Sequence, residues 1–326
     1  MTLVDAAVLA GLTPVRIIET GDWKFACLPL EDGTVKITDS RYIGQEPPPD
    51  VFHLPETIDG MTVSALGRRS IGSSGFREAV IPACITVMEE NPFAYRPTYP
   101  EEPVLERITV AEGHPVFTSV DGVLFDQGGS RLLSFPRGRK GRYAVPEGTT
   151  AIAGLAFIEC SGLTEIILPE GLLSIGVEAI SRCMGLERIV LPATLRQMAP
   201  RVFHSCRCMK EAVLPRGMTE LPDDTFRMCL SLERVTLPEG LRRIGSHAFY
   251  GCVGLTEARL PDGLEELSDC AFTCCKVLPA MTLPASLTAI GSRNFDRCPA
   301  LTVTVQAGSA AEAYAKANGI PFAIKA

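Results

Sequence analysis

Asp224, His247 and Cys270 follow one another at intervals of 23 residues. A carboxylate, an imidazole and a thiol in line are the parts of a nucleophilic relay: the acid orients the ring, the ring takes the thiol proton, and the thiolate attacks. In a chain that coils once per interval, the three stack in one column about 5 Å apart. The same column continues as Glu178, Arg201 and Arg293, however, which is the pattern of a varied, solvated position. Cys206-Arg207-Cys208 and Cys274-Cys275 raise the question of zinc, which asks for four ligands in a closed shell. No second Cys-x-x-Cys and no histidine pair completes such a set, and Cys208 falls in a column of small residues with Gly162, Gly185, Ser231 and Gly254. His53, His114, His204 and His247 occupy unrelated contexts, and there is no HExxH, Gly-x-Ser-x-Gly or Walker loop. The residues predict no enzyme, no metal and no cofactor.

The interval itself is the stronger signal. Pro146, Pro169, Pro192, Pro215, Pro238, Pro261 and Pro284 are each 23 residues from the next. Cys160, Cys183, Cys206, Cys229, Cys252, Cys275 and Cys298 keep the same step, as do Phe157, Phe203, Phe226, Phe249, Phe272 and Phe295, with Ile180 standing in once. Two aliphatic columns run beside them: Leu168, Leu191, Leu214, Leu237, Leu260 and Leu283 before the prolines, and Ile152, Ile175, Met198, Leu221, Ile244, Leu267 and Ile290 after them. A period in this range is that of a solenoid, whose coils bury their apolar side only against the coils above and below. The cysteine column reads as reduced, inert packing, since free cysteine behaves as a small hydrophobe.

Within a coil, a segment such as Leu163-Thr164-Glu165-Ile166-Ile167-Leu168 alternates inward and outward and predicts a short parallel strand. Proline ends it, having no N–H for a central ladder. The stretch Ser246-His247-Ala248-Phe249-Tyr250-Gly251-Cys252 predicts a brief helical or 3-10 turn as the outer wall, with Asp223, Ser246, Asp269 and Ser292 as its N-caps.

The pattern Leu-Pro-x-x-Leu-x-x-Ile-Gly-x-x-Ala-Phe-x-x-Cys-x-x-Leu, nearly intact from Leu237 to Leu255, resembles the BspA-like leucine-rich repeats of bacterial surface proteins. The likeness is close over roughly 140–305 and looser over 22–139, through Leu54-Pro55, Ile58-Asp59-Gly60, Ile81-Pro82 and Leu105-Glu106-Arg107-Ile108-Thr109-Val110. The resemblance implies an α/β repeat solenoid, a leucine-rich-repeat right-handed superhelix of 23-residue coils with short parallel strands and short helical or 3-10 outer turns. It also implies adhesion or secreted binding as the kind of role, without naming a ligand.

The expected organisation is an N-terminal cap at 1–45, with Trp23, Phe25 and Leu28 over the first coil, and irregular repeats at 46–139. Regular repeats follow at 140–305, and a C-terminal helix-strand cap at 306–326. Two features break the period between Pro82 and Pro146: a Pro-rich loop at 95–103, and Val120-Asp121-Gly122-Val123, a hairpin signal expected to protrude sideways. At the end, Ser309-Ala310-Ala311-Glu312 reads as a capping box opening a helix that Gly319 and Pro321 close, before a strand-like Phe322-Ala323-Ile324.

Composition narrows the function classes. With 46% apolar residues and a net charge of −7, the chain can bury a core and shows no polybasic footprint for nucleic acid. No apolar run reaches the roughly 18 residues of a membrane span. The first residues, 1–12, predict a short helix. They lack a cationic region and carry Asp5 among apolar residues, which argues against a signal peptide and for the cytoplasm, whereas the resemblance argues for export or the cell surface.

The remaining candidate site is the outward face of the strands. Four positions before each proline stand Glu165, Arg188, Glu211, Arg234 and Glu257, alternating in sign and expected to pair as a zipper. Two positions before each proline stand Ile167, Val190 and Val213, an apolar patch, then Thr236, Arg259 and Thr282. The expected function is a non-enzymatic binding module, monomeric, presenting this face to a protein or glycan. The alternative is a structural or self-associating scaffold.

Overall fold

The computed structural model of the chain describes residues 15–72, 75–94 and 104–325. The expected helix at 1–12 and the Pro-rich loop at 95–103 lie outside the described residues. The chain divides into two compact units, residues 1–139 with 153–157 and residues 140–152 with 158–326.

The second unit is a solenoid whose coils each add two short parallel strands. One sheet runs through Gly141–Ala144, Leu163–Ile167, Arg188–Val190, Glu211–Val213, Arg234–Thr236 and Glu257–Ala258. A second series, Ala151–Ile152, Ser174–Ile175 and Gln197–Met198, then Glu220–Leu221, Arg243–Ile244, Glu266–Leu267 and Ala289–Ile290, follows the turn after each proline. Partners in both series are one repeat apart, as Glu211 with Arg234 and Ser174 with Gln197. The turn is built on the proline itself, whose carbonyl accepts the N–H three residues on: Pro192 from Leu195, Pro215 from Met218 and Pro238 from Leu241, all at 3.1 Å.

The core consists of the columns. Phe203, Phe226, Phe249, Phe272 and Phe295 form a near-parallel stack with centroid separations of 5.4, 5.5, 4.9 and 6.0 Å. Cys160, Cys183, Cys206, Cys229, Cys252 and Cys275 are fully buried beside the rings.

The outer wall departs from the expected helical turns. In each coil two residues four apart have left-handed backbone: Glu178 and Arg182, Arg201 and Ser205, Asp224 and Met228, His247 and Gly251, Cys270 and Cys274, Arg293 and Arg297, with φ from 53° to 72°. A left-handed residue cannot continue a right-handed helix, so the wall remains a run of turns. At non-glycine positions this conformation costs about 1–2 kcal/mol each. Inter-coil bonding offsets the cost, because alternate N–H groups now point along the stack. Glu178, Ile180 and Arg182 donate to the carbonyls of Pro200, Val202 and His204 at 3.2, 3.0 and 2.8 Å, and Arg201, Phe203 and Ser205 repeat this onto Asp223, Thr225 and Arg227. Every such donor lies one coil before its acceptor.

Other carbonyls of the wall face inward, where the cysteines meet them. Cys206 Sγ donates to Ile180 O at 3.1 Å, Cys229 Sγ to Phe203 O at 3.1 Å, Cys252 Sγ to Phe226 O at 3.2 Å and Cys275 Sγ to Phe249 O at 3.3 Å. The column therefore satisfies backbone as well as filling space, a role the sequence reading did not give it. The expected caps also act across coils, not within one. Asp223 Oδ1 accepts the N–H of Ser246 at 2.8 Å and Asp269 Oδ1 that of Ser292 at 2.7 Å.

The last coil is followed by helix Ala310–Ala317, with Ser309 Oγ accepting the Glu312 N–H at 3.2 Å. Glu312 Oε2 reaches back to the N–H of Gly308, one residue beyond the reciprocal partner of a capping box. Tyr314 closes the ring stack edge-on against Phe295 at 6.3 Å, and strand Phe322–Ile324 adds parallel to Thr302–Val305.

The first unit opens with three antiparallel strands, Arg16–Thr20, Trp23–Pro29 and Val35–Tyr42, the last also pairing in parallel with Met61–Leu66. Trp23 lies over Phe52 at 4.0 Å and near Phe25, Tyr42 and Phe76. The hairpin Phe117–Val120 and Val123–Asp126 turns through Asp121 and Gly122, both left-handed as a two-residue turn between twisted strands requires. It does not protrude. Val123, Leu124 and Phe125 have no exposed surface and Arg131–Ser134 pairs along the second strand, because the hairpin's apolar residues have the unit's core to enter.

Candidate functional site on the strand face of the regular coils

The first sheet of the second unit sets its outward residues in two parallel columns. Arg142, Glu165, Arg188, Glu211, Arg234 and Glu257 stand opposite one another in register. Ion pairs close between Arg142 and Glu165 at 3.3 Å and between Arg188 and Glu211 at 3.2 Å. Arg234 closes on neither neighbour, so the expected zipper is a set of pairs with a gap. Glu211 is already engaged by Arg188, and an exposed pair is worth only about 0.2–1 kcal/mol, too little to hold every long side chain in one geometry.

Beside it run Ala144, Ile167, Val190, Val213 and Thr236. Val190 is 47% exposed although it sits in the middle strand of a sheet, while Ile167 and Val213 are half-buried. The opposite side of the same strands holds Ile166, Ile189, Ala212 and Val235 in the core. Alternation alone thus turns Val190 to solvent.

The second series of strands carries a charge cluster that sequence reasoning missed. Arg243 bonds Glu220, Glu266 at 3.1 Å and Asp223 at 3.4 Å, beside a hollow of about 390 Å³ that Gln197, Met198, Met218 and Glu220 help to line. Its signal was available: Gln197, Glu220, Arg243 and Glu266 are one repeat apart.

The acid-histidine-thiol column does not assemble as a relay. Asp224, 8% exposed, gives its carboxylate to Arg201 Nε and Arg227 Nη1, both at 3.1 Å. That hydrogen bond and charge lift the Arg201 guanidinium above its ordinary pKa. His247 packs edge-on to Tyr250 with centroids 5.6 Å apart, and no hydrogen bond joins it to Asp224 or Cys270. The neighbouring His204 is pushed below its usual pKa by burial and then by Arg227 and Arg182. The cysteines once weighed for zinc separate: Cys206 is buried on the Ile180 carbonyl and Cys208 is exposed. Among the described residues, no group of three or more His, Cys, Asp or Glu is placed to hold a metal, and no helix is long and apolar enough to cross a membrane.

Comparison with known proteins places these coils. The signature of a BspA type Leucine rich repeat region matches in six copies, over residues 142–252 and 219–310. A leucine-rich repeat protein from Eubacterium ventriosum has a similar structure with TM-score 0.64 at 16% identity, over 85% of this chain and 93% of that one. A leucine rich repeat protein of T. pallidum, TpLRR, gives TM-score 0.47 at 22% identity, over 92% and 95% of the two chains. A leucine rich cell surface protein from Faecalibacterium prausnitzii gives 0.41 at 18%, over 92% and 97%. At these identities the likeness speaks for the fold alone. No curated protein matches the chain.

Proposed function

The chain belongs to the BspA-type leucine-rich repeat family, and from that membership we propose that it is a non-enzymatic binding protein whose strand face holds a partner at the Ile167–Val213 end. One observation carries the reading: Val190, a β-branched residue in the centre of a parallel sheet, keeps 47% of its surface in water between Ile167 and Val213. Aliphatic surface rimmed by charges is the composition of contact sites. Arg188 and Glu211, paired at 3.2 Å, supply that rim. Neither column holds an aromatic ring on which a sugar could stack, which favours a protein over a glycan. As part of the same reading the coils wind right-handed, the hand that crossovers between parallel strands take.

The test compares the parent with V190S/V213S against protein and glycan arrays. The variant is expected to lose the parent's binding while its Tm falls by no more than about 4 °C, the roughly 1 kcal/mol of substitutions on an outward, part-exposed face. A fall of many degrees would mean that the patch is core, and undiminished binding would move the partner elsewhere. The scaffold alternative has its own observation in the strand Phe322–Ile324, which ends its sheet with Ile324 46% exposed. Light scattering that shows a concentration-dependent dimer or filament would favour it.

A further inference from the structure

On the outer wall of the second unit, away from the strand face, the coils from Arg227 to Arg297 enclose a pocket of about 330 Å³, near the small end of the roughly 300–1,000 Å³ of small-molecule sites. Two half-buried thiols line it, Cys270 and Cys274, which are not members of the buried ladder. Arg227, Arg293 and Arg297 line it with them, Asp296 being the single carboxylate in the lining, and the Arg227 guanidinium is held by Asp224 at 3.1 Å and lies over the Tyr250 ring at 5.2 Å.

Two features make this end of the wall electropositive. Toward the N-terminus, basic side chains are matched along the columns: Arg182 by Glu159 at 2.9 Å, and Arg201 by Glu178 at 3.6 Å and Asp224 at 3.1 Å. His247 and Cys270 replace the acids in the following coils, and among the described residues Arg293 and Arg297 make no ion pair. The backbone adds to this. Alternate N–H groups of the wall donate toward the following coil, and that ladder ends where Cys270, Phe272 and Cys274 donate to Ser292, Asn294 and Asp296. The next donors in the pattern, the N–H groups of Arg293, Phe295 and Arg297, have no acceptor among the described residues. Aligned peptide dipoles leave their positive pole at such an end, by the physics of a helix N-terminus.

We propose that this pocket takes small disulfides that carry carboxylates, and that Cys270 or Cys274 exchanges with them. The Arg293 and Arg297 guanidinia hold the carboxylates. A thiolate attacks one sulfur of the disulfide, its S–S bond breaks, and the departing thiolate takes up a proton, giving one mixed disulfide on the protein and one free small thiol. The reaction needs no oxidant beyond the disulfide itself. Its failure leaves the strand-face reading untouched, since the two sites share no residue.

Cys208, exposed and outside the pocket, is the internal reference. The folded protein is treated at low salt with oxidised glutathione, which is anionic, and in parallel with cystamine, which is cationic, and the modified cysteines are mapped by peptide mass. Relative to Cys208, labelling at Cys270 and Cys274 is expected to be roughly five- to tenfold greater with the anionic disulfide, and to lose that preference in R293Q/R297Q or at high salt. Melting curves of the variant check that it folds. Equal selectivity with both reagents, a preference that survives R293Q/R297Q, or silence of both thiols would each overturn the proposal.

Discussion

Cys252→Asp is expected to unfold the coils around it at neutral pH. The thiol has no exposed surface, lies between Cys229 and Cys275 in the column, and donates to Phe226 O. Burial holds its pKa far above the ordinary thiol value, which marks how strongly the site resists a charge. A carboxyl placed there rises by up to about 5 units, so at pH 7 it must take up a proton to fold, and the roughly 3 units between 3.9 and 7, each worth about 1.4 kcal/mol, cost about 4 kcal/mol, a large share of a domain's stability. The pH dependence has a definite sign. A carboxyl whose folded pKa is raised binds its proton more tightly in the folded state. The penalty of the variant is therefore full above the folded pKa, shrinks as pH falls through it, and levels off only below the unfolded value of about 3.9. Cys252→Ala should cost only about 1–2 kcal/mol, for a small cavity and one lost bond to a carbonyl that keeps the Cys229 N–H at 3.0 Å. Cys252→Ser, which keeps a donor, should cost no more than Ala. Denaturant melts at neutral pH and near pH 4 read all three, and a Cys252→Asp protein as stable as the parent at pH 7 would remove the column from the core.

Deleting residues 309–326 is the second large perturbation. It strips Tyr314 from Phe295 and from the Asn294 N–H, which its hydroxyl accepts at 3.0 Å, and strand Phe322–Ile324 from Thr302–Val305. Phe295, Leu301 and Val303, all now buried, would face water. At about 1.5–3 kcal/mol per large side chain, the loss is about 4.5–9 kcal/mol, concentrated in the last coil. Aggregation in size-exclusion chromatography and a lowered Tm are the expected outcome. A truncated chain that stays monomeric with the parent's Tm would make the helix an appendage.

The sequence was most informative where side chains repeat and least where backbone decides. Phenylalanine, cysteine and leucine recur at one interval, so their stacking and burial could be read directly, as could the register of Glu165 with Arg188 or Glu211 with Arg234. The left-handed wall could not. Glutamate, arginine, aspartate, histidine and cysteine all occupy its first position, and none advertises a positive φ. The stabilising partner there is the carbonyl of another coil, a contact with no local signature. The same blindness explains the capping error: Asp223 was placed at the start of its own turn, but its acceptor oxygen serves Ser246 in the next. For the strand face, sequence reading located the residues and their order. It could not say which ion pairs close, because that is decided by small differences among solvated side chains.

The alternating column on the strand face also gives the array a parity. Each coil contacts chiefly the ones before and after it, so a whole repeat can be lost or gained while every apolar column stays continuous. The charges do not permit this equally. Removing the coil that bears Arg234 would bring Glu211 beside Glu257, like charges in facing positions that repel, whereas removing two successive coils restores an acid beside a base. Changes in length by even numbers of repeats are thus electrostatically silent on this face, and odd ones leave a seam that records where the duplication or deletion occurred.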